Sequence, residues 1–216
     1  MSGRVTGAVR HRVDRLRDER ARRRAHRLAG VSRLGSFGEG SLITPNATIL
    51  NPGRIHIGSG TRINYGAFLA PVTDHLGTTY EPEIRIGDRN YIGRDLHISC
   101  VGEIRIGSDC MLGDRILLTD TYHEYRDPET PIQDQPLAPS RPVVIEDGVF
   151  MGHGCAVLRG VTVGRNAYIA FGAIVTRDVP ANAVVTAPPA RVMRVWNGED
   201  WTEPDPTSDA DWLGRP

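Results

Sequence analysis

Residues 145–175 read IEDGVFMGHGCAVLRGVTVGRNAYIAFGAIV, and the aliphatic residues Ile145, Met151, Val157, Val163, Ile169 and Val175 stand six positions apart. A period of six would scatter these side chains around an α-helix, and it does not describe one long alternating strand. It does describe a coil with three short faces, each contributing one inward aliphatic residue. The same register runs backwards through Ile106, Leu112, Leu118; Ile86, Ile92, Ile98; Ile57, Ile63, Leu69; and Ile43, Ile49.

The interruptions support the reading. The steps Ile49 to Ile57 and Ile98 to Ile106 are eight, Leu69 to Ile86 is seventeen, and Leu118 to Ile145 is twenty-seven. All fall after the third position of one coil and before the first of the next, so every extra residue emerges at one edge of a three-sided prism. Seven register residues are followed by Gly (Gly58, Gly87, Gly93, Gly107, Gly113, Gly152, Gly164), as expected where a side chain would hinder the backbone near a corner. Four places on from register positions, Thr61, Ala67, Cys110, Cys155, Val161, Ala167 and Ala173 are small or apolar and are expected to turn inward.

The predicted fold is therefore an all-β solenoid of five or six coils. Three segments follow: an N-terminal segment 1–34, a β-helix 35–180 with a long loop 119–144, and a C-terminal cap with an acidic tail, 181–216. Val5, Val9, Val13 and Leu16 recur at helical spacing, which predicts an Arg-rich amphipathic helix over roughly 4–29.

The chain has 216 residues, 39% hydrophobic and 24% charged, which suits one globular domain with an appendage. All 26 cations are Arg, balanced by 26 acids. The neutrality hides a gradient: residues 1–34 hold eleven Arg against three acids, and 196–216 hold six acids against Arg215. The odd number of cysteines and the lack of an apolar stretch after the basic N-terminus lead us to expect a cytoplasmic protein with reduced thiols. No run reaches the ~20 apolar residues of a membrane span. The Arg-rich segment, with RARRRAHR at 20–27, raises peripheral contact with an anionic membrane, whereas no DNA-reading motif is present and nucleic acid is not expected.

The succession of repeats, the excursion TDTYHEYRDPETPI (119–132) and the stretch from Val143 to Arg194 resembles the hexapeptide-repeat acyltransferases, in particular the sugar O-acetyltransferases such as maltose and galactoside acetyltransferase. Two positions depart from the family pattern: Phe150-Met151-Gly152 replaces Trp-Ile-Gly, and Ala187-Pro188-Pro189-Ala190 replaces Gly-Asn-Pro-Ala. The resemblance implies a left-handed parallel β-helix, a homotrimer, and acetyl-CoA held between subunits, with a sugar or glycoconjugate hydroxyl as acceptor and no metal. It implies that His123 is the general base, with an imidazole's pKa near working pH. Asp120, Glu124 or a backbone carbonyl is expected to orient that ring. It further implies acceptor contacts from Asn64 and Phe150, pantetheine contacts along Gly152, Ala170 and Gly172 through backbone amides, and polar or phosphate contacts from Thr176, Arg177 and Arg191.

Two other readings share the column. A γ-carbonic-anhydrase-like zinc site would draw on His97, His123 and His153, but the second His of that pattern is replaced by Leu158, Arg159 and Gly160. A purely scaffolding β-helix has no need of the long His-bearing loop. Cys100 has no recognisable partner base and is not expected to be a nucleophile.

Overall fold

The computed structural model describes residues 31–186 and 191–202. The chain winds as a left-handed parallel β-helix of six coils, about 29 Å tall at ~4.8 Å per coil. Three stacked sheets form its faces. The first face runs from Ser36–Phe37 through Ile55–Ile57, Glu83–Ile86, Glu103–Ile106 and Val143–Ile145 to Thr162–Val163. The second runs from Leu42–Ile43 to Tyr168–Ile169, and the third from Thr48–Ile49 to Ile174–Val175.

The hexad register is the register of the sheets. Ile57 pairs with Ile86, Ile86 with Ile106, Ile106 with Ile145, and Ile145 with Val163. On the second face Ile43, Ile63, Ile92, Leu112, Met151 and Ile169 are successive partners, all fully buried. Each such side chain withdrawn from water contributes about 1.5–3 kcal/mol, and stacking like on like fills the narrow prism without gaps. Phe37 completes the first coil, pairing with Ile57. The residues four places on also point inward: Thr61, Ala67, Cys110, Cys155, Val161, Ala167 and Ala173 are all at most 1% exposed.

The glycines after the register residues work by close approach. A Cβ on Gly93 would lie 2.6 Å from the carbonyl carbon and oxygen of Gly113 one coil above, and one on Gly152 would lie 2.7 Å from the amide nitrogen of Phe171. The left-handed turns come two residues later, at Gly154 and at non-glycine residues such as Asp95 and Arg115. Corner amides that the sheets leave over are accepted by carboxylates of the coil above. Ser59 N–H donates to Asp88, Arg94 N–H to Asp114, Ser108 N–H to Asp147, and Thr162 N–H to Asp178, each at 2.7 Å. This answers the demand that corner donors find partners.

The outward columns differ by face. The first carries Glu83, Arg85, Glu103 and Arg105 in a ladder of ion pairs, with Arg105 2.7 Å from Glu103, and His56 Nε2 lies 3.0 Å from Glu83 at its edge. The second carries Tyr91, Met111, Phe150 and Tyr168, with Tyr91 and Met111 about half exposed.

At the C-terminal end Ala183–Thr186 adds a strand to the second face, and Arg191–Trp196 and Trp201–Thr202 follow antiparallel, so the cap extends a sheet. The expected helix over 4–29 and the acidic tail from 203 lie outside the described residues. The described end of the N-terminal segment, Val31–Arg33, is a single 3-10 turn. Among the described residues no helix is long and apolar enough to cross a membrane.

Candidate active site

Both large insertions leave the column at the corner between the third and first faces. The longer one begins at Asp120, directly after Leu117–Thr119, and returns at Val143–Ile145. Its outgoing and incoming limbs form an antiparallel ribbon. Ala138 N–H donates to Tyr122 O at 2.9 Å, Glu124 N–H to Pro136 O at 2.9 Å, and His123 bridges Leu137 between them. Thr121 Oγ1 donates to Ala138 O at 2.6 Å.

The ribbon's tip is organised by Gln135, a polar side chain only 4% exposed. Its Nε2 donates to Asp127 O and Thr130 O at 2.8 and 2.7 Å. Asp127 caps the same turn, accepting from Thr130 Oγ1 at 2.7 Å and Glu129 N–H at 3.0 Å; the Thr130 hydroxyl, then these amides, hold its carboxyl below the ordinary Asp range. The loop is thus a built element, and it carries an exposed His123. Arg159, from the corner above, lies 4.9 Å over the Tyr122 ring and pins the residue preceding the histidine.

The shorter insertion, between Phe68–Pro71 and Glu83–Ile86, is a hairpin of Asp74–His75 with Thr78–Thr79. Leu76 and Gly77 both have positive φ, 50° and 79°, the requirement of a two-residue turn that follows strand twist. Its root is tied to the column: Asn51 Nδ2 donates to Pro71 O at 2.8 Å and Thr73 Oγ1 at 3.2 Å. The hairpin reaches the long loop at His75, whose Nε2 is 3.3 Å from Gln135 O and whose ring meets His123 edge to face, centroids 5.2 Å apart at 74°. The eleven extra residues of this insertion carry no chemical motif in the sequence. The signal for the hairpin was present in the Leu-Gly turn between His75 and Thr78.

Asp120 occupies a different place from the one expected of a ring orienter. Its side chain is fully buried, and its two oxygens accept from Val101 N–H at 3.0 Å and Gly102 N–H at 2.7 Å. Burial pushes its carboxyl above the ordinary Asp range, against the pull of those amides. It fastens the root of the loop to the preceding corner. Glu124 is half-buried and faces Arg126 Nη1 at 3.4 Å.

The remaining expected residues are spread over the column. Asn64 is buried, donating to Ile92 O at 2.7 Å and accepting from Arg62 Nε at 3.1 Å, so it stitches two coils. Phe150 stacks on Tyr168, centroids 4.5 Å apart, on the second face, whereas His123 rises from the corner beyond the third. Gly152, Ala170 and Gly172 follow one another along the corner between the second and third faces. Their amides already donate, to Ile169 O, Val185 O and His153 O at 2.8–2.9 Å, which corrects the expectation that these N–H groups serve a ligand. That corner offers shape instead: a Cβ on Gly172 would meet nothing within 4 Å. Thr176 and Arg177 are exposed on the last coil, and Arg191 begins the strand Arg191–Trp196.

Of the three histidines of the zinc reading, His97 is stacked on Phe68 at 4.7 Å, and its pKa is lowered by partial burial. Among the described residues no group of three or more His, Cys, Asp or Glu side chains converges as metal ligands do. Cys100 is fully buried and burial drives its thiol far above the ordinary range, opposite to the activation of a nucleophile.

Comparison with known proteins agrees with this architecture. The family Bacterial transferase hexapeptide (six repeats) matches residues 142–177. A probable acetyltransferase of Mycobacterium tuberculosis is 30% identical over 158 residues, 69% of this chain and 52% of that protein. A 2,3,4,5-tetrahydropyridine-2,6-dicarboxylate N-acetyltransferase of Staphylococcus aureus is 55% identical over 53 residues, 24% of this chain and 22% of that one. The chain thus spans about half the length of the first of these relatives, and less of the second. Among solved structures, AntD, an N-acyltransferase from Bacillus cereus in complex with dTDP and 3-hydroxybutyryl-CoA, shares the fold with a TM-score of 0.63 at 19% identity, over 76% of this chain and 84% of that one. A hexapeptide-repeat acetyltransferase of Vibrio cholerae complexed with acetyl-CoA gives a TM-score of 0.55 at 22% identity, over 82% and 87%. The sheet register, the single corner of insertions and the matched repeat together show a hexapeptide-repeat β-helix, similar to these acyltransferases over part of their length.

Proposed function

We propose that this protein is an acyl-CoA-dependent O-acetyltransferase acting on a sugar or glycoconjugate hydroxyl, with His123 as general base. The observation that carries the reading is the braced ribbon holding an exposed imidazole clear of the column, at the corner where both insertions meet. Relatives named acetyltransferases, and a neighbour holding acetyl-CoA, support acetyl-CoA as the donor. A variant of the same N-acyltransferase neighbour in complex with dTDP-4-amino-4,6-dideoxyglucose supports an acceptor of sugar type.

In this scheme the acceptor hydroxyl attacks the thioester carbonyl while His123 takes its proton. The C–S bond then breaks, and the imidazolium returns the proton to the leaving thiolate, so no covalent enzyme intermediate is required. The pantetheine arm lies against the shallow corner of Gly152, Ala170 and Gly172, held by shape because their amides are engaged, with Thr176, Arg177 and Arg191 reaching the distal polar and phosphate groups. Asp120 anchors the loop, Glu124 stands beside the base, and Asn64 fixes the coil below. A homotrimer follows from the same reading: the Tyr91–Met111–Phe150–Tyr168 column, about half exposed at Tyr91 and Met111, offers an apolar face to a second copy, whose cleft receives the donor and to which Phe150 contributes.

The test is thiol release from acetyl-CoA across a panel of sugar hydroxyls and amines, with His123→Ala run beside the wild type. We expect hydroxyl acceptors to be used and the variant to lose a factor of roughly 10²–10⁴ in kcat while melting as the wild type does. A folded variant turning over at the wild-type rate removes His123 as base, and exclusive use of amines replaces O-transfer by N-transfer.

A further inference from the structure

The long loop does not supply an orienter for its own histidine from the acids nearest to it. Asp120 is occupied by Val101 and Gly102, and Glu124 faces Arg126. The aromatic contact described for the His123 ring comes from another insertion, from His75 on the hairpin between the second and third coils.

We propose that His75 is the positioning residue for His123: it fixes the plane of the reacting imidazole by an edge-to-face ring contact while it clamps the hairpin to the long loop. The inference rests on His123 being the base. Three observations carry it. The rings meet at 5.2 Å and 74°, the T-shaped arrangement that aromatic quadrupoles favour. His75 Nε2 lies 3.3 Å from Gln135 O, and a carbonyl can only accept, so the proton sits on Nε2 and the ring's rotation is set. Gln135 is itself nearly fully buried and bonded to Asp127 and Thr130, so the clamp ends on a rigid point.

The two ends of the contact are independently fastened. The hairpin is rooted on Asn51 through Pro71 and Thr73, and closed by Tyr80 N–H donating to Thr73 O at 2.9 Å. The long loop is rooted on Asp120 and by Arg141 N–H donating to Asp120 O at 3.0 Å. An exposed imidazole on a single ribbon would sample several rotamers; a second ring held from the opposite insertion removes that freedom. Rate loss from a misplaced catalytic group reaches about a hundredfold per ångström, so the contact acts on kcat.

The experiment compares His75→Ala, His75→Phe and His75→Gln in the full chain with wild type and His123→Ala. Acetyl-CoA turnover is measured as separate kcat and KM values, melting temperature checks folding, and the ring protons of His123 are followed in histidine-labelled protein by NMR. We expect His75→Ala to lower kcat about tenfold to thirtyfold with KM for acetyl-CoA unchanged within about twofold. His75→Phe keeps the ring and is expected to recover kcat to within about threefold, whereas His75→Gln keeps a donor but no ring and resembles His75→Ala. The His123 resonances move in His75→Ala and His75→Gln as the neighbouring ring current disappears.

Unchanged kcat in His75→Ala beside an inactive His123→Ala overturns the proposal and leaves His123 as base. A loss in His75→Ala that His75→Phe does not recover, or that appears as raised KM with a lowered melt, reduces His75 to a brace between loops. Unmoved His123 resonances in His75→Ala overturn the contact itself. A fully active His123→Ala overturns the base and its positioning residue together.

Discussion

Replacing Asp120 separates two roles that one carboxylate might hold. Its oxygens receive Val101 N–H at 3.0 Å and Gly102 N–H at 2.7 Å, and Val101 is only 4% exposed. Asp120→Ala leaves the Val101 donor dry and unpaired, at about 1–3 kcal/mol, while water reaches the half-exposed Gly102 donor, at about 0.5–1 kcal/mol. Relief of the buried charge offsets part of this, so the expected loss is about 2–3 kcal/mol. Asp120→Asn keeps one acceptor oxygen and loses about 1–2 kcal/mol. The assay is equilibrium urea unfolding at fixed subunit concentration, with kcat measured well below the transition.

The pH dependence carries its own sign. Burial raises the folded-state pKa of Asp120 above the unfolded value of about 4, so this group's contribution is fully present below about pH 4 and is lost as pH rises through the folded value. Asp120→Asn has no such titration. The wild type's advantage over it is therefore expected to be greatest in acid and to narrow as pH rises above about 4. If Asp120→Ala unfolds within about 0.5 kcal/mol of wild type, the root contact has no energetic weight. If a normally stable Asp120→Asn loses a hundredfold or more in kcat, the carboxylate acts on the base after all.

Two other outcomes test the column. Gly93→Ala sets a Cβ 2.6 Å from the Gly113 carbonyl, which is backbone and cannot swing aside; we expect a loss of at least about 1–3 kcal/mol by urea unfolding, against near-neutral behaviour of alanine at Gly53, where nothing lies within 4 Å and the backbone is not left-handed. The three thiols, Cys100, Cys110 and Cys155, are free, at most 1% exposed, and raised in pKa by burial, so a thiol-reactive dye at pH 8 is expected to label none in the native protein and all three in urea; rapid native labelling contradicts the inward packing.

The column was legible because a hexad repeat leaves a trace at every coil. Ile57, Ile86, Ile106 and Ile145 fall on one ladder, and the small residues four places on fall inside it. The corner of the insertions was legible from the spacing alone. The hydrogen-bond partners were not. That Asp120 turns to the amides of Val101 and Gly102 depends on stacking one coil on another, at a separation of nearly twenty residues. The meeting of His75 with His123 depends on two loops crossing the same corner, and no local pattern encodes it. The glycines after the register residues mark corners, but their cause is the backbone of the neighbouring coil; the positive φ values lie two residues further on, where Asp95 and Arg115 also adopt them.

Confining every insertion to a single edge has an evolutionary consequence. The stacked sheets settle their pairings without consulting what protrudes there, so residues 72–82 and, beyond the anchoring Asp120, 121–142 form an interchangeable socket whose contents can lengthen, shorten or be replaced while the shaft beneath stays in register. Selection on what these loops contact can therefore act on about thirty residues and leave folding competence to the others.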